Sequence, residues 1–189
     1  SIGFYGSTLN TRQYATKGYL EKLIAQVFTG RERFEPGNPQ EGYSPSPQER
    51  QSWLQISYMK EAYHTMGPKF TLGWMAEALY SSKNFSENYT ATMMQAGEFA
   101  PTPHSKLMYN EAFRANQYVA AGIKPIYVLN DMFQFRTEFY GFTPIFPIKK
   151  NALNKAYYGK AFSKFEYLGE ISVVCQLPFG DISAYVNHY

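Results

Sequence analysis

Any chemistry in this 189-residue chain would have to come from a small set of groups, because it carries 15 Asp and Glu, three His and one Cys. Glu61, Glu77, Glu138, Glu166 and Glu170 are the first candidates, since glycosidic hydrolysis uses two carboxylates held roughly 5 to 10 Å apart. Their sequence setting argues against that use. Each falls on the polar side of a segment that alternates polar and apolar residues, where Arg136 and Lys164 are available as cross-strand partners. His64, His104 and His188 lie in three different predicted elements, a spacing that suits no shared metal ion. Cys175 has no second cysteine to pair with and reads as a small apolar residue on a strand. The sequence contains no G-x-S-x-G elbow, P-loop or H-E-x-x-H. No catalytic, cofactor or metal site is therefore expected within these residues.

The elements that position those side chains are predicted to be strands. The stretch 132–147, MFQFRTEFYGFTPIFP, splits cleanly at period two. Phe133, Phe135, Thr137, Phe139 and Gly141 fall on one face and Gln134, Arg136, Glu138 and Tyr140 on the other. Strands of soluble proteins usually run about 5 to 6 residues, whereas about 9 to 11 residues tilted at roughly 45° cross a bilayer. The spacing predicts Phe133, Phe135 and Phe139 toward lipid and Gln134, Arg136 and Glu138 toward a wet lumen, where an added lysine would be nearly free. Residues 51–65 place Leu54, Ile56, Tyr58 and Ala62 opposite Gln55, Ser57, Met59 and Glu61. Lys60 interrupts the apolar side, as a snorkelling lysine near a rim can. Residues 69–82 place Phe70, Leu72, Trp74, Ala76, Ala78 and Tyr80 opposite Thr71, Gly73, Met75 and Glu77. Residues 161–177 place Tyr167, Gly169, Ile171, Val173 and Cys175 opposite Glu166, Leu168, Glu170, Ser172 and Gln176. Further strands are expected over 1–7, 17–30, 114–129 and from 182 onward, eight in total.

The connections add a rhythm. Tight turns are expected at Gly67-Pro68, Asn130-Asp131 and 178–181, and long ones at 31–50, 83–113 and 149–160. Short turns at one end and long loops at the other are the habit of outer-membrane barrels. The 31–50 segment, rich in proline, reads as an exposed loop, 149–160 as a polar, lysine-bearing connection, and 83–113 as a packed loop with a helical turn over 86–94 capped by Ser86. Composition agrees with many aromatic-lined strands. Tyr (17) and Phe (15) bring aromatics to 18%, while charged residues are 17% against about 25% in typical domains. A net charge of +3 with dispersed Lys and Arg excludes nucleic acid as an expected partner. No apolar run reaches 18 residues, so no transmembrane helix is encoded. The pattern still alternates at Val186 to Tyr189, and the chain is expected to be a fragment.

The order of strand, long loop and Arg-led strand resembles the bacterial surface-antigen barrel superfamily, which includes outer-membrane assembly and autotransporter-assembly proteins. More narrowly, RQYATKGYLEKL at 12–23 and FRANQYVAAG at 113–122 resemble the barrel region that follows a patatin-like phospholipase domain in proteins of Bacteroidales. The resemblance implies an all-β fold: eight antiparallel strands, the eighth to the fifteenth of a sixteen-stranded transmembrane barrel. It implies that 83–113 is a loop folded into the lumen, with Arg114 as its anchor, although Ala115 and Asn116 stand where the motif has Gly and an aromatic. Glu138 is the first expected partner of Arg114 and Glu170 the second. The implied function is an outer-membrane barrel that anchors, and helps export or present, an attached patatin-like lipid esterase. Its partners would be outer-membrane lipid, the patatin domain, and the rest of the barrel or other copies of the fragment. A soluble aromatic-rich carbohydrate-binding sandwich and a passive pore stand as alternatives.

Overall fold

The computed structural model describes residues 1–32, 50–130 and 132–189. The chain is all-β and antiparallel. Its strands are β1 (Ile2–Ser7), β2 (Gly18–Arg31), β3 (Arg50–Thr65) and β4 (Phe70–Ser81), then the helix α1 (Tyr89–Gln95) and the two-residue strands β5 (Gly97–Glu98) and β6 (Arg114–Ala115). These are followed by β7 (Gln117–Val128), β8 (Phe133–Pro144), β9 (Ile148–Lys150), β10 (Ala156–Tyr158), β11 (Glu166–Leu177) and β12 (Gly180–His188). Eight of the twelve strands form one sheet in the order β1-β2-β3-β4-β7-β8-β11-β12, each beside its predecessor. Among the described residues β1 and β12 do not pair with each other, so the sheet is not closed into a barrel.

The two faces differ: one is open and largely apolar, and the other is covered and mixed, holding both an apolar cluster and the charged side chains. On β8, Phe133, Phe135 and Phe139 are 42%, 47% and 53% exposed, whereas Gln134, Arg136 and Glu138 are 2%, 2% and 5% exposed. The register carries this split across the sheet. Phe70 faces Tyr127 and Tyr127 faces Phe135, one aromatic row over three strands. Tyr63 faces Gly73, and Gly73 faces Lys124, on the other side. We call these the bare face and the covered face. On β4 and β11 the sides separate as the alternation predicts, with Met75 and Thr71 buried and Phe70 bare, and Glu170 and Ser172 buried while Tyr167 and Ile171 are bare.

Two connections supply the cover. Residues 82–116 bring Phe99 and Phe113 against Met75, Leu79, Tyr118, Tyr140, Phe142 and Leu168. Residues 8–17 bring Ala15 against Tyr63 and Ile126. The Tyr14 hydroxyl, moreover, donates to Ser183 Oγ on β12 at 2.9 Å. Six interstrand steps separate β2 from β12, about 29 Å on a flat sheet, yet the four residues from Tyr14 to Gly18 reach at most about 14 Å. The tyrosine's own length does not close that gap, so the sheet is bent into a trough with the covered face inside.

Several expectations are corrected. The helical turn is a seven-residue helix capped by Asn88, whose side chain accepts from Ala91 N, and Ser86 does not cap it. Both residue types cap well, and Asn88 lies directly before the first helical residue. The expected strand 114–129 is broken after Ala115, because Arg114 and Ala115 pair with Glu98 and Gly97 instead of joining the main sheet. The connection 149–160 contains most of a small hairpin, β9 with β10, against which Met93 and Ala96 of the α1 region pack through Ile148. The strand expected from 161 begins at Glu166. The interior of the 31–50 loop lies outside the described residues, as does Asp131 of the Asn130-Asp131 turn. The ends also differ in one respect: the ten-residue connection 8–17 leaves the sheet at the same end as the tight turns, because Gly18 faces Tyr63 near the β3–β4 turn.

Candidate functional site

The covered face holds a chain of charged and hydroxylated side chains from five strands. Its geometry starts with two glycines. Gly73 stands opposite Tyr63 and Gly122 opposite Tyr140. A Cβ on Gly73 would lie 2.6 Å from the Tyr63 ring, and one on Gly122 would lie 2.2 Å from the Tyr140 ring. The absence of side chains lets each ring lie across its neighbouring strand, the arrangement in which an aromatic covers a strand glycine. Lys124 is thereby held between the two rings, with Nζ 5.8 Å from the Tyr63 centroid and 5.7 Å from the Tyr140 centroid.

Lys124 Nζ donates to Glu61 Oε1 at 2.8 Å, and the Tyr63 hydroxyl donates to the same oxygen. Arg136 Nε donates to Glu138 Oε1 at 2.9 Å, and the Tyr140 hydroxyl donates to Glu138 Oε2. The other guanidinium arm, NH1, donates to Ala15 O and to Gln134 Oε1, both at 3.1 Å, and Gln134 Nε2 donates to Tyr14 O at 3.3 Å. Buried charges persist only when paired and hydrogen-bonded, and here each cation has both. The 8–17 segment is thus held through its carbonyls by two side chains of β8.

The expected anchor is placed differently. Arg114 NH2 donates to Glu98 Oε2 at 2.7 Å, and NH1 donates to Met94 O at 3.1 Å and Ala96 O at 3.3 Å, with the guanidinium 4.7 Å over the Tyr109 ring. It closes the C-terminal end of α1 within its own connection, a favourable position for a cation. Neither Glu138 nor Glu170 is its partner. Glu138 lies near the middle of β8, beside the level of Lys124, which is roughly 23 Å along β7 from Gln117, and Arg114 lies outside that strand. Glu138 is taken by Arg136.

Glu170 stands directly opposite Glu138 across β8 and β11. Its Oε1 is 3.9 Å from His104 Nε2, and its Oε2 is buried without a hydrogen-bond partner among the described residues. His104 is stacked on Tyr185, centroids 3.4 Å apart, and its Nε2 lies 3.3 Å from the Tyr14 hydroxyl. The two covering segments therefore meet at His104 and Tyr14. Burial holds the His104 pKa below its ordinary value, opposed by the charge of Glu138, and burial raises that of Tyr14. The other histidines lie elsewhere, His64 beside Trp74 and His188 beside Tyr167. Among the described residues no three His, Cys, Asp or Glu side chains are grouped to hold a metal ion, and no helix is long and apolar enough to cross a membrane.

Sequence reasoning named Arg136, Glu138, Glu61 and Glu170 and placed Tyr140 on their face, but missed Lys124, Tyr63 and Tyr14. One signal was present: Lys124 is the sole charge in the otherwise apolar run VAAGIKPIYV. No family model, curated protein or solved structure matches the chain.

Proposed function

We propose that this chain forms part of the wall of a transmembrane β-barrel in a bacterial outer membrane, with the bare face against lipid and the covered face lining a plugged lumen. The supporting observation is the inversion of polarity: Arg136, Glu138, Lys124 and Glu170 are at most 5% exposed, while Phe133, Phe135, Phe139, Tyr127, Ile123 and Ile171 are each more than 40% exposed. Burying one such apolar side chain is worth roughly 1.5–3 kcal/mol, so a sheet folding in water alone would favour the reverse. Lengths agree as well. A twelve-residue strand such as β8 rises about 41 Å, or about 29 Å along the membrane normal at 45° tilt, close to the hydrocarbon thickness of about 30 Å.

In this reading the free edges of β1 and β12 pair with the remaining strands of a sixteen-stranded barrel or with another copy, because lipid offers unpaired N–H and C=O groups no partner. The motifs at 12–23 and 113–122 support the role of anchoring and presenting an attached patatin-like lipid esterase. A passive pore fits the two covering segments poorly. A soluble carbohydrate-binding sandwich would lay a second sheet on the bare face, and among the described residues none packs there. The expected result is a chain that stays with membranes after an alkaline wash and leaves them only in detergent. A monodisperse, detergent-free monomer by light scattering would overturn the reading. The esterase part is tested separately by the reading frame that encodes this chain: one without a G-x-S-x-G removes that part alone.

A further inference from the structure

The connection 145–165 is unbalanced in charge. It carries Lys149, Lys150, Lys155, Lys160 and Lys164 and no Asp or Glu; five positive charges in a chain of net +3 leave −2 for all other residues. All five lysines are exposed. Among the described residues Lys164 bridges to Glu166 at 3.1 Å and Lys150 lies 5.8 Å over the Tyr89 ring, while Lys149, Lys155 and Lys160 make no salt bridge. Exposed aromatics alternate with them, from Phe146 at 38% through Tyr157 at 45% to Phe162 at 62% and Phe165 at 68%. Rings beside lysines at the margin of an apolar surface are the composition of a membrane interface, where rings lie among headgroups and ammonium groups meet phosphates.

The bare face next to this segment is recessed. A depression of about 330 Å³ is walled by Ile123, Phe139, Phe165 and Tyr167. Its floor is Ala121 and Gly141, partners across β7 and β8. The Phe165 ring overlies Gly141, within 2.9 Å of where a Cβ would stand. Ile123 and Phe139 face each other one row nearer the tight turns and close the depression on that side. On the other side Thr143 Oγ1 donates to Lys164 O at 2.9 Å, which fixes the lysine-bearing chain at its lip.

We propose that this rim binds a phosphate-bearing anionic lipid, with an acyl chain in the depression and the headgroup phosphate over the lysines of 145–165. The proposal rests on the membrane reading above and adds selectivity for headgroup charge. Trp74 faces Ile123 across β4 and β7, so its fluorescence reports lipid beside the depression once Trp53, the other tryptophan, is replaced by Phe. The chain is inserted into phosphatidylcholine vesicles containing a fixed fraction of brominated phosphatidylglycerol or of brominated phosphatidylcholine. Because each lysine near an anionic surface contributes roughly fivefold, the brominated anionic lipid is expected to be preferred by about tenfold or more at low salt. The preference should fall to near unity in K149Q/K155Q/K160Q, since Lys164 is engaged by Glu166 and Lys150 lies over Tyr89. It should fall in the same way for the unaltered lysines in concentrated salt, a comparison that needs no further substitution. Equal quenching by both lipids would overturn the proposal and leave the membrane reading standing. A preference that survives both the triple substitution and salt would also overturn it, and absence of quenching by either lipid would sink the membrane reading itself.

Discussion

Phe139→Lys is the substitution that most directly tests the inverted sheet. Phe139 lies at the middle of β8 and is 53% exposed on the bare face. Phe133 begins the same strand on the same face, and the six residue steps from one to the other, at about 3.4 Å each and a tilt near 45°, place Phe133 about 14 Å nearer the membrane surface. Lysine on a lipid face costs about 2–4 kcal/mol at the midplane and about 0–1 kcal/mol near the interface. Phe139→Lys should therefore cost about 2–4 kcal/mol and Phe133→Lys about 0–1 kcal/mol, with Phe135→Lys between them. The measurement is urea unfolding of the bilayer-inserted chain, followed by Trp74 fluorescence. A sheet whose bare face meets water would give no gradient, and all three lysines would be neutral or favourable. Equal free energies for the 133 and 139 variants would refute the reasoning. The covered face no longer serves as a cost-free control, contrary to the expectation from alternation. Gln134 is packed between Arg136 and Tyr14 O, so a lysine there sets one cation beside another.

Arg136→Met should cost about 3–5 kcal/mol by leaving Glu138 charged and buried, and should expose 8–17 to trypsin at Arg12 and Lys17. The double change with Glu138→Leu should cost less than the sum of the singles, and additivity would show that the pair does not interact. Arg114→Ala should loosen only 83–113, read as faster trypsin cutting at Lys106, with a loss of about 1 kcal/mol because Glu98 is one-third exposed; a global shift in stability would contradict the assigned role. Gly122→Ala should cost about 1–3 kcal/mol by overpacking, since its Cβ would meet Phe139 O at 2.7 Å, whereas Gly169→Ala finds only ordinary contacts at 3.7 Å and should be tolerated. Because the folded-state pKa of His104 is lowered, its stabilising contribution is complete above the unfolded value of about 6.5 and is lost as pH falls toward the lower folded value. Cutting at Lys106 should rise between pH 7 and 5, and His104→Asn should remove that rise.

What could be read from the sequence was whatever depends on near neighbours. Period two sorts β4, β8 and β11 because each residue's face is set by the residue before it. The partner of Tyr63 does not follow from the expected turn: one centred on Gly67-Pro68 would bring residue 72 opposite 63, whereas the observed loop is centred on Pro68 and brings Gly73 there. The hidden features are long-range. Tyr14 meets Ser183 across 169 positions, and nothing in TRQYATKG separates it from an ordinary loop. Arg114 was expected to meet Glu138 because the strand that follows through a tight turn is its antiparallel neighbour; its actual partner, Glu98, belongs to a two-residue ladder too short to leave a periodic signal. Lys124 gives no local sign of its partner, because Glu61 lies 63 positions away on a strand that is not its neighbour.

The two covering segments are held by different physics, and this bears on which of them could move. Residues 82–116 insert Phe99 and Phe113 into an aromatic cluster with Tyr118, Tyr140 and Phe142, a non-directional attachment that costs free energy for every ring withdrawn. Residues 8–17 contribute less apolar area, Ala15 with the partly buried Leu9, and are fixed by Arg136 and Gln134 donating to two backbone carbonyls and by the Tyr14 hydroxyl donating to Ser183 Oγ. Such bonds are directional, and each is exchanged for one to water on release, a net of about 0.5–1.5 kcal/mol, or more where the donor is charged. On release Arg136 NH1 would lose Ala15 O but keep Gln134 Oε1, with Nε still on Glu138, so what seats the segment is the sum of these directional bonds and the Tyr14 ring, 5.6 Å from the guanidinium. The grip on 8–17 is therefore a property of the strand wall more than of the segment, and changes at Arg136 or Gln134 reach it more strongly than changes at any of its own residues except Leu9, Tyr14 and Ala15.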